Sequence, residues 1–357
     1  MPPATTSETT APGRPRTGHA SGSGHASGSG DASATGHSSG TEDAAGTGPA
    51  PGTGRAFGTF GELLQGALPE PDGDFLVTFP LARWSTATFR PAPPGTGPGV
   101  RVLPAHKTKA RRVAEAVLAS AGAADGGVLE ISADLPEGKG LASSSADLVA
   151  TVRAVGDALG ITFPPHRTED FLRAVEPSDG VMHDGVVAFH HRTVRLRHRL
   201  GELPPLAVIA HDLGGQVDTV AHNRTVGPVP AADRAEYARL LGRLTRAVAD
   251  TDLHRVGAVA TRSAELHSAR RPRPGLDLLR RLGRDVGGYG LVLAHSGTVL
   301  GVLLDAGDPE LDAKTKHVRD GCADLGGAVS VHRSLGTGEA RTPAGPPHRH
   351  PAPPTES

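Results

Sequence analysis

Between residues 134 and 160 the chain reads DLPEGKGLASSSADLVATVRAVGDALG. Lys139 offers a mobile cation, and Ser143, Ser144 and Ser145 offer three hydroxyls in a row. Gly138 and Gly140 let a backbone come close to a ligand. Leu148, Val149, Val152, Val155 and Leu159 recur at helical spacing, so the serines enter a helix. The first turn of a helix has N–H groups without internal partners and the positive end of the dipole. Such an end suits an anion, above all a polyphosphate, and a hydroxyl there can reach a metal riding on the phosphate. No GK[ST] tripeptide closes the loop, so it is not a P-loop. On local physics alone, the same residues also fit a plain helix with a serine N-cap.

Residues 176–180 read EPSDG. Phosphoryl transfer to an alcohol is mostly positioning and charge neutralisation, often with a carboxylate that orients the hydroxyl or takes its proton. Asp179 on such a turn could be that carboxylate, although Ser-Asp-Gly is also an ordinary turn. Upstream, GTFGELLQG places Glu62 and Gln65 on a glycine-interrupted strand, where a surface carboxylate is the plain alternative. Residues 211–224, HDLGGQVDTVAHNR, follow a buried strand and carry Asp218, Thr219, Asn223 and Arg224. They fit helix caps, or a site for an amino acid in which Arg224 pairs with a carboxylate.

The elements that must position these groups follow from periodicity. Strands are predicted within 55–70 and at 75–81, 84–90 and 128–132, with a turn at 69–74. Residues 91–99 read as a loop, and helices are predicted over 107–121 and 167–174. Three strands follow, at 186–189, 193–197 and 206–210, the last fully buried. Helices at 232–250, 252–268 and 275–285 lead to a hairpin, 291–294 and 299–304, turned by HSGT. A helix over 309–320 and a strand over 328–333 complete an α+β fold.

Residues 1–54 contain no Val, Ile, Leu, Phe, Trp or Tyr and read as a disordered tail. The histidines of that tail are too loosely spaced for a metal site. Residues 336–357, rich in proline and histidine, read the same way. A net charge of −1 in 357 residues gives no basic face for nucleic acid, and 3% aromatics give no stacking platform. No apolar run is long enough for a bilayer, and the N-terminus has no hydrophobic signal core. The single cysteine, Cys322, has no partner within the chain for a disulfide, which fits a reducing, cytoplasmic setting.

PEGKGLASSSA resembles the phosphate loop of the GHMP kinase superfamily, usually P-x-x-x-G-L-G-S-S-A-A. Ala142 stands where that pattern has glycine, and Ser145 where it has alanine. Within the superfamily the chain is most similar to the L-threonine kinases of cobalamin synthesis. They share a G-[ST]-C-G-E-L-[VI]-Q-G opening (Phe60 replaces the cysteine), an EP[ST]D turn and a V-D-T-x-x-F-N-R run with His222 in place of phenylalanine. Where those relatives have Asn-Gln this chain has His267 and Ser268. Gly287, Gly288 and Gly290 resemble the superfamily's third motif, which packs on the phosphate loop.

The resemblance implies the two-domain GHMP fold: a ribosomal-protein-like N-terminal ATP-binding domain over 55–200 and a ferredoxin-like C-terminal domain over 201–335. It implies ATP and Mg²⁺ as cofactors, and transfer of the γ-phosphoryl to a small amino acid, L-threonine, giving O-phospho-L-threonine. Pro136, Lys139, Gly140, Leu141, Ala142, Ser143, Ser144 and Ser145 would hold ATP, and Asp179 would be catalytic. Glu62, Gln65, Asp218, Thr219, Asn223 and Arg224 would face substrate. Ser144 and Glu176 would take the metal; Glu169 also lies upstream of Asp179, and neither glutamate reproduces the superfamily's usual spacing from it. Serine, homoserine or another amino alcohol stays open as acceptor, as does a nucleotide-binding module without turnover. Neither oligomeric state nor any nucleic-acid or membrane partner is implied.

Overall fold

Glycines open the first strand. β1 (Gly52–Ala67) pairs antiparallel along its length with β2 (Asp74–Pro91). The structure, a computed structural model, describes residues 49–71, 73–214, 229–295 and 297–339. β1 therefore begins inside the stretch to residue 54 that composition assigned to a tail. A Cβ on Gly52 would lie 2.2 Å from the Ala158 nitrogen, and one on Gly54 2.2 Å from the Ala150 carbonyl oxygen. These residues are ordered by a helix backbone lying on them, which a count of apolar side chains does not register.

The strands expected at 75–81 and 84–90 are one strand, β2. Ala82 and Arg83 carry nothing that breaks a ladder, and the irregularity is absorbed as a register shift between Phe57 and Gly58 of β1. β4 (Gly127–Ala133) lies beside β2, and β3 (Val100–Leu103), too short to show a period, runs parallel to β4. α1 (Thr108–Ser120) connects β3 to β4 and packs on α2 (Ser143–Ala158), which covers β1 and β2. α3 (Pro165–Arg173) follows, and then β5 (Val186–His190), which pairs with both β2 and β6 (Arg195–Gly201).

The second half runs β7 (Leu206–Asp212), α4 (Ala231–Ala249), α5 (Leu253–Arg270), α6 (Leu276–Asp285), β8 (Gly290–Leu293), β9 (Val299–Asp305), α7 (Leu311–Gly321), β10 (Ala328–Arg333). Its antiparallel order β10-β7-β9-β8 is the ferredoxin-like arrangement. β7 is apolar from Leu206 to Ala210 because both its faces are covered there. Leu206, Val208 and Ala210 join the large core with Tyr237 and Leu244 of α4. Ala207 and Ile209 meet Leu279 and Leu282 of α6 and Val318 of α7.

The two halves of the sheet join at β1 and β8 through one residue pair, Glu62 opposite Leu293. Register shifts in β1 flank Glu62 on both sides. Irregularities of this kind re-aim a side chain. Gly61, at φ +52°, is needed beside it, since a Cβ there would lie 2.6 Å from the Leu293 carbonyl. Among the described residues no helix is long and apolar enough to cross a membrane.

Candidate active site

The loop ahead of α2 is pinned before any ligand is considered. The Thr59 N–H donates to the Leu141 carbonyl at 3.1 Å, and Gly58 leaves room for that approach. Gly138 and Gly140 take φ values of +71° and +77°. Ala142 is the N-cap residue of α2, in the left-handed region at φ 57°, and no side chain caps the helix. The serine-capped alternative is therefore not what the chain adopts. The α2 N-terminus opens into a cavity of about 340 Å³, lined by Gly140, Leu141, Ala142, Ser143, Ser144 and Ser145 among others.

The Ala142 conformation costs an L-residue about 1–2 kcal/mol, and glycine relieves it at some cost in unfolded-chain entropy. Ala142→Gly is expected to raise stability by up to about 1 kcal/mol, with the KM for nucleotide within about twofold. Thermal unfolding checks it, and a lower melting temperature would mean the loop is not strained at this residue. Phe60, the other departure from the family pattern, is fully buried against His332, with ring centroids 5.2 Å apart, and does not line the cavity.

Asp179 faces the same cavity. The Ser145 hydroxyl donates to its Oδ2 at 3.2 Å, while the Asp179 N–H donates back to Ser145 Oγ at 3.0 Å. This double link fixes the carboxylate against the helix start. Burial raises the Asp179 carboxyl to about 6, the Ser145 hydrogen bond opposing and the Glu176 charge reinforcing the shift. Burial, with the neighbouring Asp179 charge, holds Glu62 well above the usual carboxylate range.

The two residues expected to take the metal are brought together: the Ser144 hydroxyl donates to Glu176. Lys109 also reaches Glu176, at 2.5 Å. Glu169 is committed elsewhere, accepting from Leu196 N–H at 3.0 Å and lying 2.7 Å from His183 Nε2. Magnesium takes one or two carboxylates and completes its shell with phosphate oxygens and water, so Ser144 and Glu176 fit it. No group of three or more His, Cys, Asp or Glu among the described residues could hold a metal alone. The ion would need the nucleotide's own oxygens.

Three expectations shift. Pro136 is exposed and, like Lys139, does not line the cavity. Lys139 Nζ lies 2.7 Å from Asp212 Oδ2, tying the loop to β7. Burial of Asp212 opposes its charge, but hydrogen bonds from Lys139, Thr298 and Gly214 outweigh it and lower its pKa. Gln65 sits one layer behind the wall, because protein groups use up its amide: Nε2 donates to the Leu293 carbonyl at 3.0 Å, and Oε1 is 2.8 Å from His295 Nδ1. The Gly288 and Gly290 sites of the third motif meet Val302 and Gly257, while Gly297 in the following turn meets the phosphate loop. Asp218, Thr219, Asn223 and Arg224 lie outside the described residues.

Sequence reading missed Lys107, Lys109, His191 and His295, all of which line the cavity. Lys107 Nζ lies 2.5 Å from both Glu137 and Asp147, and these bonds hold its pKa up against burial. The two lysines had a signal. Cations at a helix N-terminus oppose the dipole, so a pair of them there implies anionic partners.

Residues 108–190 match the family described as GHMP kinases N terminal domain. A homoserine kinase from Cytophaga hutchinsonii aligns at TM-score 0.64 and 18% identity, over 80% of this chain and 95% of that one. The L. major mevalonate kinase, solved with R-mevalonate, aligns at 0.59 and 15% over 80% and 96%. A further neighbour, at 0.58 and 15% identity, was solved with MVAPP, AMPPCP and magnesium. The chain has the two-domain α+β fold of the GHMP kinases, and the likeness read from its loop stands. Among curated proteins it is similar to the L-threonine kinase of Salmonella typhimurium, 27% identical over 250 residues, 69% of this chain and 80% of that protein. An L-threonine kinase from Citrobacter freundii is 26% identical over 189 residues, 52% of this chain and 64% of that protein.

Proposed function

We propose that the protein is an ATP-dependent kinase acting on the hydroxyl of an amino acid, with L-threonine as acceptor and O-phospho-L-threonine as product. Such a product would serve as precursor of the aminopropanol linker of cobalamin. One observation supports this above the rest. The uncapped start of α2, the Ser144–Glu176 pair and the Ser145–Asp179 pair all open into one cavity. A loose phosphoryl-transfer transition state asks for this combination: donors for the phosphate oxygens, a place for a cation, and a carboxylate at the entering hydroxyl.

In this reading the backbone N–H groups from Gly140 to Ser145 hold the phosphates. Ser144 and Glu176 hold magnesium, which neutralises charge on the phosphates when bound. Asp179 orients the acceptor hydroxyl and takes its proton as the O–P bond forms and the bond from the γ-phosphorus to the ADP oxygen breaks. Glu62 faces the acceptor from the junction of the two half-sheets. Lys139 and Gln65 brace the loop and the wall.

ADP release across hydroxylated amino acids tests it. L-threonine is expected to give kcat/KM at least about tenfold above serine, roughly what a methyl group is worth in a fitted pocket, and also above homoserine, whose hydroxyl lies one carbon further from the amine. Preference for another acceptor would replace threonine while keeping the reaction class. Nucleotide binding without ADP release on any acceptor would overturn the proposal and leave a binding module.

A further inference from the structure

Three buried polar atoms in the cavity wall find no hydrogen-bond partner among the described residues. Glu62, 3% exposed, has Oε2 without a hydrogen bond, and His191, 5% exposed, has neither ring nitrogen bonded. Both line the cavity beside Asp179. Their placement is fixed. Glu62 sits at the double irregularity of β1, and the Ser178 N–H donates to the His191 carbonyl at 3.0 Å, tying His191 to the turn that carries Asp179. His295 stands edge-on to the His191 ring at 5.0 Å and is itself anchored by Gln65. Unmet polar groups in a folded protein are costly unless a ligand completes them.

The chemistry of the corner selects the ligand. Burial, with repulsion from neighbouring carboxylates, raises the Glu62 and Asp179 carboxyls, so an anion is disfavoured there, whereas a cation seated beside them relieves that cost and favours their ionised form. A metal is disfavoured, since no qualifying metal-binding group exists among the described residues. Burial, with the charges of Arg192 and His190, lowers His191 to about 3, so its imidazole is neutral and keeps one lone pair as acceptor. A primary ammonium brings three N–H donors and one positive charge, and it matches carboxylate and lone pair together.

We propose that Glu62 and His191 form the subsite for the acceptor's α-ammonium group, Glu62 by charge and His191 as a neutral hydrogen-bond acceptor, with His295 and Gln65 positioning the ring. The inference rests on the amino-acid kinase reading above. It adds His191 as a determinant of acceptor specificity. With the ammonium seated there, the acceptor hydroxyl is presented to Asp179.

The test compares L-threonine with 3-hydroxybutyrate, the same acceptor without its amine, in the full chain and in His191→Phe. Wild type is expected to prefer threonine by about 100-fold or more in kcat/KM, as a site built for a polar group rejects the analogue lacking it. His191→Phe is expected to raise the threonine KM about tenfold or more, leave the ATP KM in place, and leave 3-hydroxybutyrate turnover unchanged. His191→Asn, which keeps an acceptor atom, is expected to recover most of the loss, and it decides the matter should the phenylalanine variant not fold. An equal loss on both acceptors, or an unmoved threonine KM, would overturn the subsite while the kinase reading stands. Wild-type preference for the amine-free acceptor would instead overturn the amino-acid reading itself.

Discussion

Replacing Asp179 with alanine is expected to lower turnover by about 100- to 10,000-fold, the usual range for a lost acid–base group, with the KM for ATP within about twofold. The split follows from position. Asp179 binds the Ser145 hydroxyl through its carboxylate and its own N–H, and neither contact takes up a backbone N–H of the phosphate loop. Its pKa near 6 gives a second readout. The working form is the carboxylate, so wild-type rate should fall as pH drops through about 6, and that limb should be absent from the variant's residual activity. The stability sign is opposite to the activity sign. A carboxyl whose folded pKa is raised stabilises the fold while protonated, and that contribution is lost as pH rises through the folded pKa. At pH 8 the alanine variant should therefore melt no lower than wild type, separating lost chemistry from lost structure. Steady-state ADP release and thermal melts decide it; unaltered turnover removes Asp179 from the mechanism.

Gly297→Ala is expected to have the next largest effect. A Cβ at Gly297 would sit 1.8 Å from the Lys139 carbonyl oxygen and 2.2 Å from its carbon, both rigid backbone. On the other side of the contact, a Cβ on Gly140 would lie 2.8 Å from the Gly297 nitrogen, so the phosphate loop has to move. Overpacking of this kind costs about 1–3 kcal/mol or more. Nucleotide affinity should fall about tenfold or more, because the N–H groups that face the phosphates shift with the loop. Nucleotide titration and thermal unfolding measure both parts. If affinity and melting temperature stay as in wild type, the turn does not brace the loop.

The parts of the site carried by contiguous runs were legible in the sequence. The loop, its serines, Glu176 and Asp179 are local motifs, and the structure brings them to one cavity. The spacing could not choose between Glu169 and Glu176; Glu169 is buried against His183 away from the cavity, whereas Glu176 lines it. Residues that converge from distant elements were not legible. His191 follows the end of β5 and meets His295 only because β1 joins β8 at Glu62. Glu62 lines the cavity while Gln65, three residues on along the same strand, lies behind its wall. Most helices and strands were visible from periodicity, while β3 was too short to be seen and Gly52–Gly54 are held by the backbone of α2 lying on them and by the Thr53 N–H donating to Asp157.

The account depends on the α2 N-terminus and its loop binding a nucleotide's phosphates. Calorimetric titration of the full chain with AMPPCP, with and without Mg²⁺, measures that directly. One-to-one binding is expected, at least about tenfold tighter with Mg²⁺ because Ser144 and Glu176 need the phosphate oxygens to complete the ion's shell. Absence of binding under both conditions would contradict it.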